Sequence, residues 1–157
     1  MLAPWVAKEV NGVDLHDERL DKRLAEVLSQ LGGFPTASIP AACGGYAEMA
    51  AAYRFFSNNK VCLENVIDAH IQATRRRMAE QPVVILVQDT TEIDLTRPEQ
   101  QVTGAGPLDG GARRGVFLHP LHGFTPDGTP LGTVHACVWT RDDEPPPSAS
   151  ERSARRK

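Results

Sequence analysis

The stretch VVILVQDTTEID, Val83 to Asp94, runs five aliphatic residues into Gln88, the carboxylate of Asp89 and two threonines. A run of this kind reads as a fully buried strand. A carboxylate at the end of such a strand is costly unless it is paired or holds a metal. The metal reading implies a definite chemistry, in which about three carboxylates converge on two divalent ions. One ion activates a hydroxyl or water nucleophile and the other stabilises the leaving oxygen. Hard oxygen ligands select Mg²⁺ or Mn²⁺. Asp89 would then be both a catalytic residue and a metal ligand. The plainer reading is that Asp89 accepts hydrogen bonds from the following turn, with the hydroxyls of Thr90 and Thr91 as neighbours. A second set, His119, His122, His135 and Cys137, has the residue types of a zinc site. His135 and Cys137 share a face at strand period two. His119 and His122, three apart, point to opposite faces unless Pro120 breaks the strand. The spacing fits no common zinc pattern, and polar positions on a half-exposed hairpin are the better reading.

The elements that must carry these residues follow from pattern. DERLDKRLAEVLSQLGG reads as an amphipathic helix: Leu20, Leu24, Val27, Leu28 and Leu31 recur at helical spacing, Asp17 or Asp14 caps the start, and Gly32-Gly33 ends it. Arg19, Lys22, Arg23 and Glu26 occupy its polar side. After the proline-bearing loop FPTASIPAACGG comes a second helix, YAEMAAAYRFFSNN, stopped by Asn58-Asn59. A third spans about Leu63 to Ala79, with Leu63, Val66, Ile67, Ile71 and Met78 inward. Arg75, Arg76 and Arg77 lie at its C-terminal end, where the helix dipole favours cations. Pro82 switches the pattern to the strand Val83–Val87. A Gly-rich loop follows, then the runs GVFLHPLHGF and LGTVHACVW joined by TPDGTP, a strong turn signal. The order is three helices, a buried strand, then a hairpin. From Asp142 the sequence is Pro, Ser and charge with nothing to bury, and reads as a disordered tail.

Composition sets the bounds. At 157 residues, 41% hydrophobic and 24% charged, the chain suits one globular domain or two small ones. It has no run long enough for a helical membrane span and no basic-then-apolar leader pattern. Three scattered cysteines, Cys43, Cys62 and Cys137, suit reduced thiols in a cytoplasm. A net charge of −3 does not announce a nucleic-acid binder, but the charges are unevenly placed, so the total argues little.

The blocks LHDERLDKRL, AAYRFFSNNKV, VQDTTEIDL, RRGVFLH and TPLGTVHACVWTRDD, in this order, resemble the N-terminal part of the DDE transposases of the insertion-sequence-four family, transposon-five type. The resemblance covers nearly all of Trp5 to Asp143. It implies an α+β chain: an N-terminal all-α DNA-binding domain (1–80), then the first three strands of an incomplete RNase H-like catalytic domain (81–141), then the tail (142–157). It places Asp89 on the first carboxylate of the catalytic triad. It places Arg19, Lys22 and Arg23 on the helix that grips the transposon end, and Arg54 and Asn58 in a second recognition block. Arg and Lys supply phosphate contacts, and Arg or Asn can read base edges.

The implied partner is double-stranded DNA at transposon ends, with a transposase dimer possible in the full-length family. The implied cofactor is Mg²⁺ or Mn²⁺, not tightly held by this chain, and the implied setting is the bacterial cytoplasm at the nucleoid. Family members continue well beyond this length and take their second Asp and their Glu from that part. Asp142-Asp143-Glu144 is not the triad, because neighbours in an extended Pro-rich segment cannot converge on a metal pair. The PPPSASERSARRK ending reads as the product of a truncated or frame-shifted gene. The chain is therefore expected to bind DNA ends and to lack catalysis alone. The competing readings are a regulatory, inhibitory DNA-binding protein and a small zinc-stabilised module.

Overall fold

The computed structural model describes residues 2–109 and 112–142. The tail assigned from sequence lies outside the described residues apart from exposed Asp142. The fold is α+β: helices α1 (Pro4–Glu9), α2 (Glu18–Gly33), α3 (Ile39–Cys43), α4 (Tyr46–Phe56) and α5 (Leu63–Ala79), then strands β1 (Ile85–Gln88), β2 (Thr91–Asp94), β3 (Gly106–Pro107), β4 (Arg114–Phe124) and β5 (Pro130–Trp139). Strand β4 pairs with each of the other four. Its partners β2 and β3 run antiparallel to it, with Thr91 opposite Leu118 and Gly106 opposite Gly115. No helix among the described residues is long and apolar enough to cross a membrane.

Two compact units emerge. Among the described residues, the first comprises 2–87 with His122–Val134; the second comprises 88–109 and 112–121 with 135–142. The core of the first unit is Leu15, Leu24, Val27, Cys43, Ala52 and Phe55, with Leu20, Leu31, Ile39, Met49 and Val66 packed against it. Burying a side chain the size of Phe55 or Leu15 stabilises the unit by about 1.5–3 kcal/mol. The entry to α2 is tightly specified. Asp17 caps it, accepting from the Arg19 backbone N–H at 3.0 Å, and Asp21 accepts from the N–H of fully buried Leu15 at 2.8 Å.

The Asp17 carboxyl is held well below the usual range, at about 2, first by the Arg19 side chain and then by the Arg19 backbone N–H. Because the folded carboxyl is the stronger acid, its contribution is complete above the ordinary Asp pKa of about 3.9 and disappears as pH falls through about 2. The expected result is a ¹³C carboxyl titration of Asp17 with its midpoint near 2. Asp17→Asn, which keeps a capping oxygen, should abolish the matching loss of α2 order. A midpoint in the ordinary Asp range would refute this reading of the cap.

A polar network ties the tip of the β4–β5 hairpin to the helices of the first unit. Arg77 donates from Nε to the Leu131 carbonyl (2.6 Å), from Nη1 to Glu9 Oε1 (2.5 Å) and from Nη2 to Thr74 Oγ1 (3.0 Å). The Thr133 backbone N–H donates to His70 Nε2 at 3.0 Å, and His70 Nδ1 lies 2.7 Å from Glu9 Oε2. A backbone amide can only donate, so His70 accepts at Nε2 and carries its proton on Nδ1, directed at Glu9. Gly132 is required where the hairpin crosses α5: its φ is +130°, and a Cβ there would run into Thr74 Oγ1 and Arg77 Nη2.

Several expectations are corrected. Val83–Val87 is not a fully buried strand: β1 runs Ile85–Gln88 and none of its residues is buried, with Ile85, Leu86 and Val87 about half exposed. An aliphatic run shows what a strand tolerates, and it is buried only where another layer packs on it; β1 is bonded to β4 alone. The cost of a buried charge at Asp89 therefore does not arise, since Asp89 is exposed. The helices number five among the described residues, α1 and α3 being short helices with proline at the first position of α1 (Pro4) and the second of α3 (Pro40). The second helix ends at Phe56, immediately before the Ser57-Asn58-Asn59 stop. In α5 the buried positions are Ala69, Ala73 and Thr74, while Leu63 at the helix start is exposed. Small residues allow close approach and so mark the inner face better than the larger aliphatics do.

Candidate nucleic-acid interface

Helix α2 presents Arg19 and Arg23 one turn apart, with Arg23 on the flank of the helix, one turn before buried Val27. Arg54 in the last turn of α4 and Asn58 just beyond it face the same space. Together with Asp17 and Leu20 they line an open cleft of about 310 Å³ in the first unit, floored by Ala51 and Phe55. Its geometry depends on two anchors. The Asp17 cap fixes the start of α2, and the turn after α4 is closed by Asn58, whose Oδ1 accepts from the Lys60 N–H at 3.0 Å while Lys60 Nζ donates to the His16 carbonyl at 3.3 Å.

The charges around the cleft are unequally engaged. Arg19 forks onto Asp17, Nε to Oδ1 at 3.1 Å and Nη2 to Oδ2 at 3.0 Å, with its side chain 90% exposed. Arg23 pairs with Glu26 at 2.6 Å. Arg54 is exposed and has no hydrogen-bond or ion-pair partner among the described residues. Lys22 lies outside the cleft, 3.7 Å from Glu18. At about 100° per residue it is turned some 60° from Arg19 and 100° from Arg23, away from α4.

Asp89 lies in the second unit, between β1 and β2 and belonging to neither. Its Oδ1 accepts from the Thr90 N–H at 2.8 Å, and the Thr90 hydroxyl lies 2.8 Å from His119 Nδ1. No group of three or more His, Cys, Asp or Glu side chains among the described residues is placed to hold a metal ion. Asp89 could supply one oxygen ligand, but the residues described do not complete a two-metal site around it. Nor are His119, His122, His135 and Cys137 brought together. His119 bonds Thr90, whereas His122 bonds the Thr133 hydroxyl at 3.0 Å, and the four residues do not converge. On a strand of regular pleat, His119 and His122 face opposite ways.

Sequence reasoning missed Glu9 and His70, and took Arg77 only as a cation near a helix end. Glu9 and Arg77 are 68 positions apart, and no periodicity joins them. It also missed the part Asp17 plays in the cleft, where one carboxylate both caps α2 and holds Arg19.

Residues 2–61 match the family described as Transposase DNA-binding. The matched segment contains α1 to α4 and the turn at Asn58, and so the whole cleft. The similarity supports a transposase, with DNA as the partner of the N-terminal helices.

Proposed function

We propose that this chain binds the ends of a mobile DNA element through the cleft between α2 and the end of α4, as the N-terminal part of a cut-and-paste transposase. The observation that carries the reading is the convergence of Arg19, Arg23, Arg54 and Asn58, from two helices, inside the segment similar to transposase DNA-binding domains. Three guanidiniums supply phosphate contacts, while Arg54 and Asn58 bring the bidentate donor and acceptor types suited to guanine and adenine edges. We read the sheet as the opening of an RNase H-like domain of the insertion-sequence-four, transposon-five type. The pairing of β4 with both β1 and β5 supports this. Asp89 is then the first carboxylate of the triad and one ligand of the family's Mg²⁺ pair. The chain alone binds without cutting, which is also what a regulatory end-binding protein does.

Fluorescence anisotropy with a duplex enriched by the chain from a random pool, against a scrambled duplex, tests the binding. Equal affinity for the two would defeat end recognition. With Mg²⁺ or Mn²⁺ and a supercoiled plasmid bearing the enriched site, no nicking is expected, because Asp89 has no converging carboxylates among the described residues. Metal-dependent nicking that vanishes in Asp89→Ala would overturn that part.

A further inference from the structure

Each basic residue of α2 is answered by an acid of its own helix or cap: Arg19 by Asp17, Lys22 by Glu18 and Arg23 by Glu26. Arg54, on the opposite wall of the cleft, has no such partner among the described residues. The pairs differ in what DNA can do to them. Asp17 is committed to the Arg19 backbone N–H as well as to its side chain, so it stays in the cleft when a ligand arrives. The Arg23–Glu26 contact is a single 2.6 Å pair between side chains 38% and 49% exposed, and only the Arg23 half lines the cleft.

We infer that Glu26 is a specificity-determining counter-charge: it contests Arg23, so that bare phosphate gains little from α2 and tight binding requires an end that also engages Arg54 and Asn58. This rests on the cleft being the DNA-binding site. Backbone phosphates are common to all sequences, so a protein whose cations are all unanswered binds every duplex well and discriminates poorly. A carboxylate beside a phosphate-binding guanidinium lowers affinity for every sequence. The cost is unequal when a scrambled duplex meets Arg23 through phosphate alone, beside Glu26, while a correct end held by Arg54 and Asn58 turns Arg23 to a base edge away from that carboxylate.

The substitution Glu26→Gln keeps length, helix propensity and hydrogen-bonding capacity while removing the charge. Binding of a scrambled duplex should tighten about fivefold, the effect of one unit charge about 4 Å away in water-like surroundings. The salt slope should steepen by up to about one. The enriched duplex should gain less, so the ratio between the two falls. The control is Glu18→Gln, which frees Lys22 outside the cleft and should leave that ratio unchanged. Unaltered scrambled-duplex affinity and slope in Glu26→Gln overturn the inference. So does an equal fall of the ratio in Glu18→Gln, which would reduce the effect to net charge. Loss of enriched-duplex binding in Arg54→Ala alongside an inert Glu26→Gln defeats the counter-charge alone. If the parent chain binds neither duplex, the cleft reading fails and this inference with it.

Discussion

Arg77→Met will destabilise the chain by about 2–3 kcal/mol, the largest stability effect expected of any single charge here. The substitution removes three donors at once and leaves behind the Leu131 carbonyl, the fully buried Thr74 and a Glu9 carboxylate only 17% exposed. Breaking a fully buried pair costs roughly 3–5 kcal/mol. Arg77 and His70 are each about a third exposed, so water recovers part of that and the lower figure applies. In a unit of this size the change lowers the melting temperature by roughly 10–15 °C. Arg76→Met, one residue away and exposed, should stay within about 0.5 kcal/mol. A double-mutant cycle with Glu9→Gln should give a coupling of about 1–2 kcal/mol. If Arg77→Met unfolds in urea at the same midpoint as Arg76→Met, the network does not hold the hairpin tip to the helices.

That contrast between adjacent arginines marks where reading from sequence stops. Local chemistry was legible. The leucine spacing and Asp17 delimit α2, and the Asp-Gly turn closes the hairpin through Thr125, Asp127 and Thr129 as its residue types require. What failed were inferences about what packs on what. The aliphatic run of β1 reads as core, yet its exposure is decided by which other elements lie against it, and its own residues hold no record of that. Of the RRR run, the first two side chains are exposed while the third clamps the hairpin, because 100° of helix rotation separates neighbours. The same rotation takes Lys22 out of the cleft shared by Arg19 and Arg23. The link between α2 and the end of α4 came from the resemblance and not from periodicity, since no pattern within either helix points at the other.

Arg54→Ala is expected to have the largest effect on binding, costing about 1–3 kcal/mol against the enriched duplex and relaxing preference at one position. Its guanidinium is exposed at the cleft and spends nothing on an internal partner among the described residues, so no bond has to be exchanged when it meets DNA. Asn58→Ala should also relax preference, with a smaller change in salt slope because the amide is neutral. Its Oδ1 closes the turn to Lys60, so some of the loss will come from a looser turn; Asn58→Asp, which keeps that acceptor but adds a charge, separates the two. Lys22→Ala, outside the cleft, should weaken all duplexes alike if it touches phosphate, lowering the slope by about one. Arg23→Ala should lose both affinity and preference, though less than Arg54→Ala, because the Glu26 pair already occupies part of its fork. The measurement is anisotropy over a salt series with enriched and scrambled duplexes. Should Arg54→Ala leave both the ratio and the slope at parental values, the cleft is not where the end is read, and the exposed face of α5 with Arg75 and Arg76 becomes the next surface to test.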